Sequence, residues 1–262
     1  MKKKPRILIT NDDGIHAPGI MHLAQSLREI GELFIVAPTE EKSGSSLGIS
    51  FIHPIEVTQV SFPSVTAAWK VSGTPADCIK IGTMKLINKP IDFIVSGINR
   101  GSNAGRAVLY SGTLGGVIEG AFQKIPGIGF SCIDEINPNY EKFYPFIPKL
   151  VEHFLTNPLP QGTILNVNFP KKNAIAGVKM ARQGMGNWVD HYEEILHETE
   201  DPKYLITGKW ETQGWNKESD LHLLQEGYIT AVPIHVYELT CQATLDQRKQ
   251  EFDNLFYNLQ SI

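Results

Sequence analysis

The stretch Arg6–Ile20, RILITNDDGIHAPGI, decides the fold. Ile7, Leu8 and Ile9 make a short continuous apolar run, the mark of a strand buried on both faces of a parallel sheet. Side chains alternate along a strand, so Asp12 and Asp13 would point opposite ways if the strand continued. Gly14 lets the chain turn instead, because glycine takes positive-φ conformations freely. After such a turn both carboxylates face one point. Two like charges there are costly unless a proton or a cation joins them, and a hard divalent cation suits oxygen donors.

Working outward, APGIMHLAQSLREIG spaces Ile20, Leu23, Ala24 and Leu27 as a helix, and ELFIVAP is a second buried strand. Together these form a βαβ unit with parallel pairing and a right-handed crossover. From Ile49 to Val71 the pattern changes to an antiparallel pair or arm. Thr74, Pro75 and Asp77 mark a capped helix start. The strand DFIVSGIN, the helix TLGGVIEGAFQ and the strand-like GIGFS follow, and Tyr140 to Leu155 suits one amphipathic helix. GTILNVNFP suits a further strand, and SDLHLLQEGYITAVPIHVYEL a short helix and a strand. Beyond Lys171 the segments RQGMGNWVDHYEE and GKWETQGWN resemble extended arms. The expected architecture is a single α/β domain over residues 1–262. It is Rossmann-like, a doubly wound, mostly parallel sheet, with residues from about 171 to 262 forming β-rich arms and oligomerisation elements.

Composition narrows the function. Lys and Arg number 24 against 28 Asp and Glu, a net charge of −4, which disfavours a stable nucleic-acid partner. Cys78, Cys132 and Cys241 are odd in number and widely spaced, which argues against a disulfide framework and for a reducing cytoplasm. The basic start MKKKPRILIT carries an apolar run too short for a signal peptide, and no stretch approaches the ~20 apolar residues that span a bilayer. The expectation is a cytoplasmic protein without a membrane partner.

In open parallel sheets, ligands bind beyond the carboxyl ends of the strands. Four polar segments fall there: NDDG, EKSGSS, SGINRGSNAG and LYSGT. Each has a plainer reading, since acids before glycine form solvated turns, Asn99 can close an Asx-turn, and Ser111 and Thr113 can cap a helix. A capped helix N-terminus is also an anion site, so the two roles are compatible.

The ordered set ILITNDDGIHAPGI, VAPTEEKSGSS, VSGTPADCIK, DFIVSGINRGSNAG, LYSGTLGGVIEGA and EGYITAVPI resembles the SurE, or survival protein E, nucleotidases over nearly the whole chain. The resemblance implies a divalent-metal-dependent phosphomonoesterase. Its substrates would be nucleoside 5′- and 3′-monophosphates, with short polyphosphate as a further one in some members. It implies one Mg²⁺ or Mn²⁺ per subunit held by Asp12, Asp13, Ser43 and Asn99. Asn103, Ser111, Gly112 and Thr113 would surround the phosphate, with Asp12, Asp13, Asn99 and Ser111 at the chemistry. It further implies a homodimer or homotetramer with C-terminal segments crossing between subunits.

An all-oxygen donor set favours Mg²⁺ or Mn²⁺ over structural zinc. Hydrolysis by metal-activated water is the preferred route, with a phospho-aspartate second. Arg100 or Arg106 would assist the phosphate or remain surface charges. Haloacid-dehalogenase chemistry needs Asp-x-Asp, and a phospho-receiver needs an acid where Ser96–Asn99 stands. The alternative function is a nucleotide- or phosphate-sensing module that keeps the metal pocket without turnover. Three features depart from the family pattern: Ile49-Ser50-Phe51, the pair Gly115-Gly116 and His16, an expected turn histidine. Trp188 would either stack on a base or lie in a subunit contact.

Overall fold

The computed structural model describes residues 4–171, 174–195, 203–214 and 216–257. β1 (Arg6–Thr10), α1 (Pro18–Leu27) and β2 (Glu32–Pro38) form the expected βαβ unit, with β1 and β2 in parallel register. β3 (Val57–Val60) and β4 (Ala67–Val71) make the antiparallel pair, and β4 also runs parallel beside β2. α2 (Pro75–Ile81) opens on a complete capping box between Thr74 and Asp77. β5 (Phe93–Arg100), α3 (Gly112–Phe122), β6 (Gly127–Cys132), α4 (Ile147–Thr156) and β7 (Thr163–Phe169) complete the parallel core.

The nine-stranded sheet is ordered β3-β4-β2-β1-β5-β6-β7-β11-β8, including β8 (Gly177–Met180) and β11 (Tyr228–His235). The chain moves from β1 to β2 on one side and later returns to β5 on the other. The crevice between β1 and β5 is therefore the topological switch point, where open α/β sheets bind ligands. Alternation along β1 divides the core. Ile7 and Ile9 pack with α1 and α4, whereas Leu8 packs towards α2 on the opposite face. Helices cover both faces, the doubly wound arrangement expected.

Two elements differ from expectation. Residues 140–155 are a 3₁₀ turn, Tyr140–Phe143, followed by α4, because Pro145 and Pro148 remove amide donors that one continuous helix would need. The chain beyond Lys171 is also more than arms. β11 is inserted into the main sheet between β7 and β8, since Ile229–Val232 are buried. The arm proper is the hairpin of β9 (Met185–Ile195) and β10 (Lys203–Gln213), a separate two-stranded sheet. α5 (Asp220–Glu226) supports it, and α6 (Gln242–Phe256) follows β11. The hairpin exposes Tyr192, Ile195, Tyr204, Leu205 and Ile206, and α6 exposes Leu245, Phe252 and Leu255.

The buried carboxylate of Asp220 ties the arm to the core. It accepts N–H bonds from Gly105 at 2.9 Å, Gly184 at 2.7 Å and Leu221 at 2.7 Å.

Gly115 explains one departure from the family pattern. A side chain there would run into the backbone carbonyl of Ser46, because the polar loop after β2 lies directly on α3. Gly115→Ala gains up to ~1 kcal/mol of helix propensity, but the overpacking costs about 1–3 kcal/mol. Thermal denaturation is expected to show a net loss of stability; a variant melting above wild type would contradict this packing.

Candidate functional site

Asn11 to Gly14 form a tight turn after β1: the Asn11 side chain donates to the Gly14 carbonyl at 2.8 Å, and Gly14 has φ 96°. This turn sets Asp12 and Asp13 at the switch point. Asp12 is buried and its Oδ1 accepts the Thr113 hydroxyl at 2.5 Å. The Thr113 backbone N–H also bonds the Asp12 carboxylate, so that group sits on the positive end of α3. Burial nevertheless raises the Asp12 carboxyl above its usual range, with the hydrogen bonds to Thr113 opposing and the Glu41 charge adding.

Asp13 is half-buried, and its Oδ2 accepts the Arg100 backbone N–H at 3.2 Å. Burial first, then the Asp12 charge, push its carboxyl up to about 7. Among the described residues neither carboxylate forms an ion pair with Lys or Arg. The two carboxylates are thus close enough for the charge of one to act on the other.

Asn99 lies at the carboxyl end of β5, across from Ser131 on β6, where the register slips after Ser96. Its Nδ2 donates to the Gly101 carbonyl at 2.9 Å, which turns Oδ1 the opposite way. Asn103 is buried, with Nδ2 donating to Ser131 Oγ at 2.8 Å and standing 3.5 Å from Thr113 Oγ1. Ser111 caps α3, its Oγ accepting from Leu114 N at 3.1 Å. With the Thr113 and Leu114 amides engaged, the Gly112 N–H has no protein partner among the described residues.

The structure thus brings Asp12, Asp13, Asn99, Asn103, Ser111, Gly112 and Thr113 to one end of the sheet. Ser43 is exposed and donates to Glu41 Oε1 at 2.7 Å, in a loop whose Lys42 N–H bonds the Asp12 carbonyl at 2.7 Å. Arg100 lines a cavity of about 430 Å³ with Asp13, His22, Glu41 and Tyr140, whereas Arg106 lines a different cavity beside the hairpin. Burial and the nearby Asp13 charge push the Tyr140 phenol up, so it stays a neutral O–H donor. His16 is exposed in its turn, and the side chain of Trp188 lies outside the described residues.

Several contributors were not anticipated. Glu41 reaches both aspartates with its charge. Ser131 on β6 and Asn166 and Asn168 on β7 contact Asn103, and the alternating asparagines in LNVNF were the available signal.

The donor chemistry fits a hard cation. The described residues contain no cluster of three or more His, Cys, Asp or Glu, which leaves two carboxylates supplemented by neutral amide and hydroxyl oxygens. That composition suits Mg²⁺ or Mn²⁺ and disfavours softer metals.

Comparison with known proteins places the fold in a family. Residues 7–190 match the family model for survival protein SurE. The chain is 43% identical over 257 residues to a 5′-nucleotidase SurE of Protochlamydia amoebophila, covering 97% of this chain and 98% of that relative. It is 39% identical to a 5′-nucleotidase SurE of Christiangramia forsetii, covering 91% and 94% respectively. The crystal structure of the SurE protein from Aquifex aeolicus superimposes with a TM-score of 0.80 at 30% identity, over 94% of this chain and all of that one. With its family-model match over residues 7–190 and relatives of 43% and 39% identity over nearly its whole length, the chain belongs to the SurE family.

Proposed function

We propose that the protein is a divalent-metal-dependent phosphomonoesterase that hydrolyses nucleoside 5′-monophosphates, and 3′-monophosphates more broadly, to nucleoside and phosphate. The observation that carries this reading is the convergence of two uncompensated carboxylates, an amide oxygen and a helix N-terminus at one switch point. The 5′-nucleotidase names of the relatives support the same substrate class.

Asp12, Asp13 and Asn99 would hold one Mg²⁺ or Mn²⁺ per subunit, with Ser43 joining them once released from Glu41. A bound ion of this kind supplies charge neutralisation for the phosphate and an activated water. Thr113 favours the ionised form of Asp12 against the effect of burial and orients it through its hydroxyl and its amide. The free Gly112 N–H and the Asn103 carboxamide are placed to hold phosphate oxygens at the end of α3. The cavity lined by Asp13, Arg100 and Tyr140 offers the nucleoside room beside the reacting phosphate.

The exposed apolar residues of the hairpin and α6 support self-association into a homodimer or homotetramer. No helix among the described residues is long and apolar enough to cross a membrane, and the cysteines are free, which supports a reducing cytoplasm. Short polyphosphate is the further substrate to assay.

The decisive assay is phosphate release from 5′-AMP by metal-stripped protein, with Mg²⁺ or Mn²⁺ added back. Release is expected to need the ion and to fall by ~10²-fold or more in Asp13→Asn. Release indifferent to chelation and to that substitution would overturn the reading. Phosphate binding without release would make the protein a sensor.

Stability gives a separate check. A carboxyl whose folded pKa is raised stabilises the fold only while protonated. For Asp13 that contribution is complete below about pH 4 and lost as pH rises through about 7. Metal-free Asp13→Asn is therefore expected to melt several degrees above wild type at about pH 8, and close to it at about pH 4. Saturating Mn²⁺ should cancel the gain, because only wild type offers the ion both carboxylates.

A further inference from the structure

β7 is buried through its length, yet it carries Asn166 and Asn168 two positions apart, on one face, at 1% and 0% exposure. Side-chain amides inside a strand are costly unless their polar atoms are bonded. Here the bonds form a closed ring. Asn168 Oδ1 accepts the Asn103 backbone N–H at 2.9 Å, and Asn166 Nδ2 donates to the Asn103 carbonyl at 2.8 Å. Asn168 Nδ2 donates to Asn166 Oδ1 at 3.0 Å, linking the two amides. Turning either amide over would set donor against donor or acceptor against acceptor, so the ring admits one arrangement.

The residue so gripped lies in an irregular loop. Neither backbone group of Asn103 pairs with another backbone group, so the two asparagines stand in for a strand partner. Two residues on, the Gly105 backbone is held in the same manner, its N–H by Asp220 and its carbonyl by Gln183 Nε2 at 3.1 Å. From Asn103 the chain of contacts continues outward. Its Nδ2 donates to Ser131 Oγ, and among the described residues the second proton on that nitrogen has only Thr113 Oγ1, at 3.5 Å, as a partner. That is a loose contact, which leaves the proton available to a phosphate oxygen. Thr113 in turn bonds Asp12.

We infer that Asn166 and Asn168 are positioning residues for the proposed hydrolysis. They fix the Asn103 backbone so that its carboxamide stands ready between Ser131, Thr113 and the phosphate. A fully satisfied buried network specifies one geometry, and a group that acts on a transition state gains from being held there in advance. This rests on the phosphatase reading above.

A double-mutant cycle on phosphate release from 5′-AMP tests it, using wild type, Asn103→Ala, Asn168→Ala and the double variant, each assayed below its melting temperature. Asn168→Ala is expected to lower kcat by about 10- to 100-fold with a smaller change in KM. In the Asn103→Ala background the same substitution should change kcat/KM by less than about twofold, because the residue acts through Asn103. Its cost in melting temperature should be the same in both backgrounds. Losses of activity that multiply across the two sites would overturn the proposal. Asn166→Ala, which releases the Asn103 carbonyl and the Asn168 Nδ2 but keeps the Asn103 N–H bond to Asn168, serves in the same cycle if Asn168→Ala does not fold. If wild type itself releases no phosphate, the hydrolase reading fails. The cycle is then read on calorimetric affinity for inorganic phosphate, where coupling between the two sites supports the positioning role and independence overturns it.

Discussion

Asp12 and Asp13 stand as a like-charged pair at the carboxyl end of a strand with no exposed residue, where burial magnifies their repulsion. Much of the surrounding structure is arranged about holding that pair in place. The parallel sheet delivers the turn to the switch point, and Asn11 fixes the turn's shape. The N-terminus of α3 meets Asp12 with two hydrogen bonds, and the amide of Arg100 meets Asp13. These contacts favour ionised carboxylates, while burial and proximity oppose them. The balance leaves the Asp13 carboxyl pushed up to about 7.

The same economy of placement appears in α3. Its first turn carries Ser111, Gly112 and Thr113, and its flank receives the loop after β2 at Gly115. One rigid helix thus meets both Asp12 and the loop after β2. The loop that bears Ser43 is also tied to the turn leading into that helix, through the Ser46 N–H bond to the Tyr110 carbonyl at 3.1 Å.

Much of this was legible in the sequence because local signals and global fold agree. The strands β1, β2, β5, β6 and β7 announced themselves as apolar runs, and the Thr74 capping box was visible residue by residue. Polar segments at strand ends named most of the residues that converge. What stayed hidden depends on non-local placement. Nothing in YITAVPI says that β11 inserts between β7 and β8 as part of the main sheet. Ser43 looks like its neighbours in the chain, and only the fold shows it turned to Glu41. Asn166 and Asn168 sat in plain view within LNVNF, but an asparagine in a strand states its purpose only when its partner, 63 to 65 residues away, is known.

That separation has a consequence for the order in which the protein is made. Every site residue that the resemblance implies lies between Asp12 and Thr113, so a nascent chain of about half the full length already contains that whole residue set. The ring that holds Asn103 closes only when β7 joins β6, and the Asp220 clasp on Gly105 spans 115 residues. Long-range closures of this kind are slow and come late. The set of site residues is thus complete on the ribosome well before the geometry is, and an amino-terminal fragment would carry those residues without the ordered loop that holds Asn103.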